Sequence, residues 1–312
     1  AARAALSQSD LAVAEIQLLE AKTAVSIAVL TTLSQHISNI ESLENAKAIV
    51  RAAIDLQIAV SKQVEIGEAP KVHATRAELE VLRATQAVVQ ATAKVAESEA
   101  NLVSLTAEKY TSALKWISLT NSKEVTSAAS YQLRISQANA VGAQARIREA
   151  RAQGRPTFSA GLASDVWSLD RSMIRSDNLG LQFSFRVPLF KRGQSENIIR
   201  AAEAEAERAT SLIVEARRLA DLNLETALSN LNAARTIVST YSGDILPKGE
   251  QMLASMREGY RSGLVTLIEV LEAQQALGRM KQEKIHAEAE HRLAELAVMK
   301  ATLNIPGMEV TR

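Results

Sequence analysis

Apolar positions recur at helical spacing over most of the chain. Before Gly67 neither Pro nor Gly interrupts them, and Leu30, Leu33, Ile37 and Ile40 step by 3, 4 and 3. That stepping is the seam of a coiled coil. A helix over the whole stretch spans roughly 100 Å at ~1.5 Å per residue, with a kink expected at Ser38-Asn39-Ile40-Glu41-Ser42. Gly67-Glu68-Ala69-Pro70 is the first clear break. Gly suits a left-handed helix C-cap and Pro the first turn of the next helix, so a second helix is expected from Pro70 to about Tyr110, with Glu78, Glu80 and Arg83 on its polar side. The pair reads as a helical hairpin with a tight tip at Gly67.

Residues 111–130 lose the pattern and are rich in Ser and Thr, which predicts irregular structure. A helix resumes near Tyr131 and ends at Gly154-Arg155-Pro156. The period then changes from 3.6 to 2. Phe158, Ala160, Leu162 and Val166 alternate with Ser159, Gly161, Ala163 and Asp165, and Leu179, Leu181, Phe183, Phe185, Val187 and Leu189 alternate with Gly180, Gln182, Ser184 and Arg186. Each run is about ten residues, the length a tilted strand needs to cross a bilayer. Five of the ten aromatics (Phe158, Trp167, Phe183, Phe185, Phe190) fall in this window. A lone hairpin is barely stable in water. It therefore packs on the helices of its own chain or joins strands from other subunits in a membrane barrel.

Helical spacing returns from about Ser195 to Tyr241, with Leu224, Leu228 and Leu231 on one seam. Ser242-Gly243-Asp244-Ile245-Leu246-Pro247 is expected to interrupt it. A short helix leads to Tyr260-Arg261-Ser262-Gly263, and a last long one runs from Val265 to about Asn304, closed by Ile305-Pro306-Gly307. The two tip glycines are 196 residues apart, and that offset sets Val72 on Ile268, Ala77 on Ala273 and Val81 on Leu277. Identity is low, but the order long helix, Gly tip, long helix repeats.

Composition narrows the class. The 312 residues are 47% hydrophobic and 23% charged, and 36 Lys plus Arg stand against 35 Asp plus Glu. That is too apolar for a disordered chain and too balanced for a nucleic-acid binder working through bulk charge. No run of about 18 apolar residues predicts a membrane-spanning helix. Without Cys there is no disulfide framework, thiolate metal site or Cys nucleophile. Aromatics at 3%, with 12 Gly, 5 Pro and abundant Ala, point to long helices packed through small side chains. Ala1-Ala2-Arg3-Ala4-Ala5 lacks a Met, a basic region and a cleavage site and reads as helix in progress. An N-terminally truncated chain is expected, with a further hairpin upstream.

The run Gly263-Leu264-Val265-Thr266-Leu267-Ile268-Glu269-Val270-Leu271-Glu272-Ala273-Gln274 resembles the helical tip signature of TolC-like outer-membrane efflux proteins. So do Pro188-Leu189-Phe190 with Gly193, and Arg148-Glu149-Ala150-Arg151-Ala152-Gln153-Gly154-Arg155-Pro156 leading into a strand. The resemblance covers essentially the whole chain. It implies a mainly α fold: long coiled-coil helical hairpins forming an α-barrel, with a transmembrane β-hairpin contributed to a trimeric β-barrel. It implies a homotrimer in the outer membrane of a Gram-negative bacterium, mostly periplasmic, in tripartite efflux or type I secretion. Its partners are a periplasmic adaptor, an inner-membrane pump indirectly, and outer-membrane lipid. The segments are then a first periplasmic hairpin over 1–110, an equatorial segment and helix over 111–154, the β-hairpin over 155–192, a second periplasmic hairpin over 193–304 and a tail over 305–312. Substrates are small molecules, metal ions or proteins. A soluble coiled-coil scaffold or adaptor without a pore is the alternative.

The resemblance also implies sites. Gly67, Glu68, Gly263 and Leu264 form the tips that meet the adaptor, where plain helix capping is the other reading. Tyr260, Glu269 and Glu272 fall at the periplasmic gate, whose carboxylates in a narrow ring would bind cations and repel one another. His73 stands where an acidic residue is expected in the first repeat, and Val265 where some members have Arg, which leaves inter-helix salt bridges in doubt. Leu181, Phe183, Phe185 and Val187 form the membrane-facing strand. The spacing of His286 and His291 does not suit a metal pair, and His36, His286 and His291 read as solvated. His73 is the pH-sensitive candidate. Glu residues at helical spacing read as solvated faces. No phosphate loop, nucleophile elbow, metal cluster or aromatic-interleaved basic patch is found, so neither enzyme chemistry, cofactor nor nucleic acid is expected.

Overall fold

The computed structural model describes residues 2–107, 116, 129–153, 156–167, 176–186 and 192–303. Its elements are α1 (Ala2–Glu65), α2 (Lys71–Thr106), α3 (Tyr131–Gln153), β1 (Thr157–Trp167), β2 (Ser176–Arg186), α4 (Arg192–Thr240), α5 (Leu246–Arg261) and α6 (Leu267–Thr302). The irregular stretch expected over 111–130 lies outside the described residues, except Trp116, Ala129 and Ser130. Among the described residues no helix is long and apolar enough to cross a membrane.

Two expected interruptions of the helices take another form in the structure. No break falls at 38–42, and α1 is one continuous helix of 64 residues. Its polar cluster serves neighbours instead. Asn39 Nδ2 donates to the Lys94 carbonyl at 3.1 Å, and Ser42 Oγ folds back on the Ser38 carbonyl at 2.8 Å. The interruption at 242–247 is a π-helical turn, Tyr241–Ile245, with right-handed helical backbone on both sides. Pro247, in the first turn of α5, has no N–H to donate and would crowd the carbonyl four residues back, and a wider turn accommodates both demands.

The chain divides into two compact units. One comprises Ala1–Leu19 and Tyr131–Arg218, the other Glu20–Ser130 and Leu219–Arg312. In the first, α3 lies against the start of α1. Ser9 Oγ donates to the Ala138 carbonyl at 2.8 Å, and a Cβ on Gly142 would stand 2.6 Å from that hydroxyl. Ala143, Ala145, Ala150 and Ala202 are buried. Arg151–Glu203 at 2.9 Å and Arg146–Glu205 at 3.2 Å tie α3 to α4 at the surface, where such pairs contribute little.

The same unit carries the β-hairpin. β1 and β2 pair antiparallel, with Phe158 opposite Phe185, Ala160 opposite Phe183 and Leu162 opposite Leu181. Opposed residues share a face, so these six form one apolar face. Ser159 with Ser184, linked through their hydroxyls at 2.8 Å, and Gly161 with Gln182 form the other. The Phe158 and Phe183 rings stack at 6.1 Å between centroids.

In the second unit α1 and α6 run antiparallel in a steady register. Arg292 Nε donates to Ser34 Oγ at 3.1 Å, Gln282 Nε2 to Ser42 Oγ at 2.9 Å and Asn45 Nδ2 to the Gly278 carbonyl at 3.3 Å. Leu56 and Val60 then join Leu267 and Val270, with Ala77 of α2, in a buried cluster. Ala227 and Leu231 of α4 meet Val298 of α6. Trp116 donates its indole N–H to the fully buried Glu295 at 2.9 Å, beside Leu296 and Met299.

The seam of α1 is more polar than its apolar spacing suggested. Ser34, His36, Ile37 and Ser38 are buried, whereas Ile40 is 36% exposed. Small hydroxyls let the helices approach and still find partners. His36 is therefore not solvated, and its Nδ1 lies 2.9 Å from Ser98 Oγ of α2.

Gly278 marks a close approach, since a Cβ there would stand 2.9 Å from Ile49 Cδ1. Gly278→Val is expected to cost about 1–3 kcal/mol through overpacking. Gly193→Ala, which meets nothing within 4 Å in its helix, should be neutral or slightly stabilising. Denaturant unfolding of the two variants checks both.

Candidate functional site: the helical tips

Both hairpin tips are built by one backbone device. Each glycine takes a left-handed conformation, φ +80 at Gly67 and +75 at Gly263. Gly67 N–H donates to the Val64 carbonyl at 3.1 Å and Gly263 N–H to that of Tyr260 at 3.1 Å. Glu68 and Leu264 N–H reach the Gln63 and Gly259 carbonyls, both at 2.8 Å. Ala69 and Val265 share those acceptors, both at 3.2 Å. This is the Schellman pattern, in which a left-handed residue lets the chain satisfy the last carbonyls of a helix. Every pair is offset by the same 196 residues as the glycines, so the weak sequence repeat is a repeat of backbone geometry. The side chain after each glycine projects outward, and Leu264 is 84% exposed.

Past the turn the tips diverge. Thr266 caps α6 in a full capping box: its N–H and hydroxyl donate to Glu269 Oε2 at 2.7 and 2.8 Å, and Glu269 N–H returns to Thr266 Oγ1 at 3.4 Å. The Thr266 backbone N–H first, and its hydroxyl second, hold the Glu269 carboxyl below the usual carboxylate range. Glu269 is thus neither an idle surface charge nor unoccupied. At the same offset α2 has Pro70, which offers no side-chain cap, and His73 at the third helical position. His73 N–H donates to the Pro70 carbonyl at 2.9 Å, and its Nδ1 is buried without a partner.

Tyr260 packs on the Leu56–Val60–Leu267–Val270 cluster, at the place Val64 holds in the first repeat. Its hydroxyl is buried with no partner, and burial raises its pKa. Glu272 is exposed one turn beyond Glu269. The tip thus gathers Tyr260 with the apolar cluster, whereas Glu269 is turned to its own helix end. On the hairpin, Leu181, Phe183 and Phe185 are 71, 64 and 70% exposed, while Val187 lies outside the described residues. The capping box was legible as Thr266-Leu267-Ile268-Glu269, the Thr-x-x-Glu pattern. His286 is solvated, 3.9 Å from Glu290. Among the described residues no three His, Asp or Glu are placed to hold a metal.

Glycine-tipped helical hairpins in one unit, and a β-hairpin with a bare apolar face in the other, make the fold of outer-membrane channel proteins. VceC from Vibrio cholerae matches with a TM-score of 0.75 at 17% identity, over 96% of this chain and 75% of its own. The open state of the MtrE outer membrane channel of Neisseria gonorrhoeae matches at 0.71 and 15%, over 96% and 71%. A model of the outer membrane efflux protein family matches residues 126–302, more than half of the chain, and the chain belongs to that family. That places it in the outer membrane of a Gram-negative bacterium. Outer membrane protein TolC of Escherichia coli (strain K12) is 26% identical over 137 residues, 43% of this chain and 27% of TolC. The chain thus aligns with about a quarter of that relative's length.

Because the Glu269 carboxyl is depressed in the folded tip, its contribution is fully present above the ordinary carboxylate range. It is lost as pH falls through that range and below it. Glu269→Gln, which still suits a capping box, should keep the α6 start and flatten this acid dependence. Glu269→Ala should fray it at every pH. Amide exchange at residues 267–270, followed from pH 7 to below the ordinary carboxylate range, checks both.

Proposed function

We propose that the chain is a subunit of an efflux duct in the outer membrane, a passive conduit for small molecules, metal ions or proteins that is gated at its helical tips. The observation that carries this reading is the one-sided hairpin. Phe158, Leu162, Leu181, Phe183 and Phe185 are each at least 64% exposed, and none lies on the Ser159–Ser184 face. Such a patch is costly in water. In lipid it is favourable, provided that both strand edges are paired. Strands from neighbouring copies are needed to pair those edges, and the homotrimer that the family resemblance implies is the assembly taken here.

A second uncovered row supports neighbouring copies. Val72, Leu79, Leu82 and Val89 of α2, at coiled-coil spacing, are 48 to 66% exposed. On this reading 1–110 and 193–304 are periplasmic hairpins, 111–154 the equatorial segment, 155–192 the barrel hairpin and 305–312 the tail. The exposed tips at Gly67, Glu68, Gly263 and Leu264 receive a periplasmic adaptor, which connects the duct to an inner-membrane pump. Tyr260, Glu269, Glu272 and His73 belong to the gate. An open state is described for the MtrE channel, and a duct that opens and closes is the reading taken for this chain.

Two measurements test this. Phe183→Arg should abolish outer-membrane insertion, at roughly 2–4 kcal/mol per charge near the bilayer midplane, whereas Gln182→Arg on the opposite face should insert normally; heat-modifiability of the trimer in membrane fractions reads both. Glu269→Ala and the double variant Glu269→Gln with Glu272→Gln should raise leak and antibiotic sensitivity in cells. Unchanged sensitivity in both would remove the carboxylates from the gate.

A further inference from the structure

Among the described residues, four buried side-chain polar atoms have no partner: His73 Nδ1, Tyr260 Oη and both amide atoms of Gln274. All three residues lie on the helices that lead into and out of the tips. Gln274 supplies two of the four and is 5% exposed. A buried polar group without a partner is disfavoured because it has given up its hydrogen bonds to water.

The antiparallel register explains its isolation. Gln274 is one helical turn from Gly278, which meets Ile49, and one from Val270, which meets the Leu56–Val60 cluster. That sets it level with Ala52 and Ala53 of α1, and Ala53 is 2% exposed. Neither alanine side chain can donate or accept, and the carbonyls of a helix interior are already bonded. Other amides of α6 do find partners: Gln275 donates to Glu80 and Gln282 to Ser42. The first repeat places an exposed Glu78 at the equivalent position. Among the described residues the orphaned amide belongs to the second hairpin, between two well-fitted apolar contacts.

We propose that Gln274 is a positioning residue of the gate: it destabilises the seating of α6 on α1 and is satisfied by water when that seam opens. The seam is thereby held near balance, so a modest pull at the tip releases it. This deepens the gating role proposed above and rests on it.

The test uses the full protein in nanodiscs, comparing wild type with Gln274→Met, which keeps the length but removes both polar atoms, and with Gln274→Glu. Hydrogen exchange is read in peptides covering 45–60 and 267–280, with 220–240 as internal reference, and single-channel opening is read in bilayers. Gln274→Met should slow exchange at the seam about tenfold and lower the open fraction. Gln274→Glu should do the reverse. Gln274→Leu replaces the Met variant should that fail to assemble. Unchanged or faster exchange in the apolar variant overturns the proposal while leaving the gate reading standing. Slower exchange with an unaltered open fraction overturns the gate reading, and with it the role of Gln274 in conduction.

Discussion

How closely α1 can approach α6 governs the second unit. There is almost no aromatic bulk to fill a wide space, so the helices meet through alanine, serine and glycine: Ser34 under Arg292, Ser42 under Gln282, Gly278 under Ile49. At that spacing a serine hydroxyl reaches its partner directly, and a single methyl group matters. Longer apolar residues gather in separate clusters, and one of them, Leu56, Val60, Leu267 and Val270, locks the two hairpins together below their tips.

The tips display the same economy of means twice. Identical backbone hydrogen bonds close both turns, yet the side chains around them differ: Pro70 against Thr266, His73 against Glu269, Val64 against Tyr260. Backbone geometry needs a glycine at one position and little else. The repeat could therefore diverge in sequence while its shape stayed fixed. The divergence puts a capped start and an unpartnered Tyr hydroxyl on the second hairpin and an uncapped start on the first. The two hairpins thus enter any rearrangement with different stabilities.

Much of this was readable from periodicity. Helices repeating every 3.6 residues and strands alternating every 2 leave signals that no packing detail can hide, and the glycine tips stood out because so few breakers occur. What escaped depended on neighbours distant in sequence. Ser38 and Asn39 looked like a weak point in α1 because the helix that uses Asn39, α2, is some 55 residues away. His36 looked solvated because Ser98 is remote. Pro247 looked like a break because a π turn has no sequence rule as firm as a glycine cap. For the site, the charge of Glu269 is legible in the sequence, and the Thr-x-x-Glu spacing carries its commitment to Thr266. Gln274 had no signal at all, since an amide on a helix says nothing of whether its facing residues are alanines.

The account stands on the β-hairpin having one face in lipid. The chain has no cysteine, so single cysteines can be placed and spin-labelled without background at each position from 181 to 185. Collision with oxygen, which partitions into lipid, and with a water-soluble nickel complex should alternate along the strand in native membranes: oxygen dominant at 181, 183 and 185, nickel dominant at 182 and 184. Equal nickel access at all five positions, or protection of all five from both probes, would contradict it.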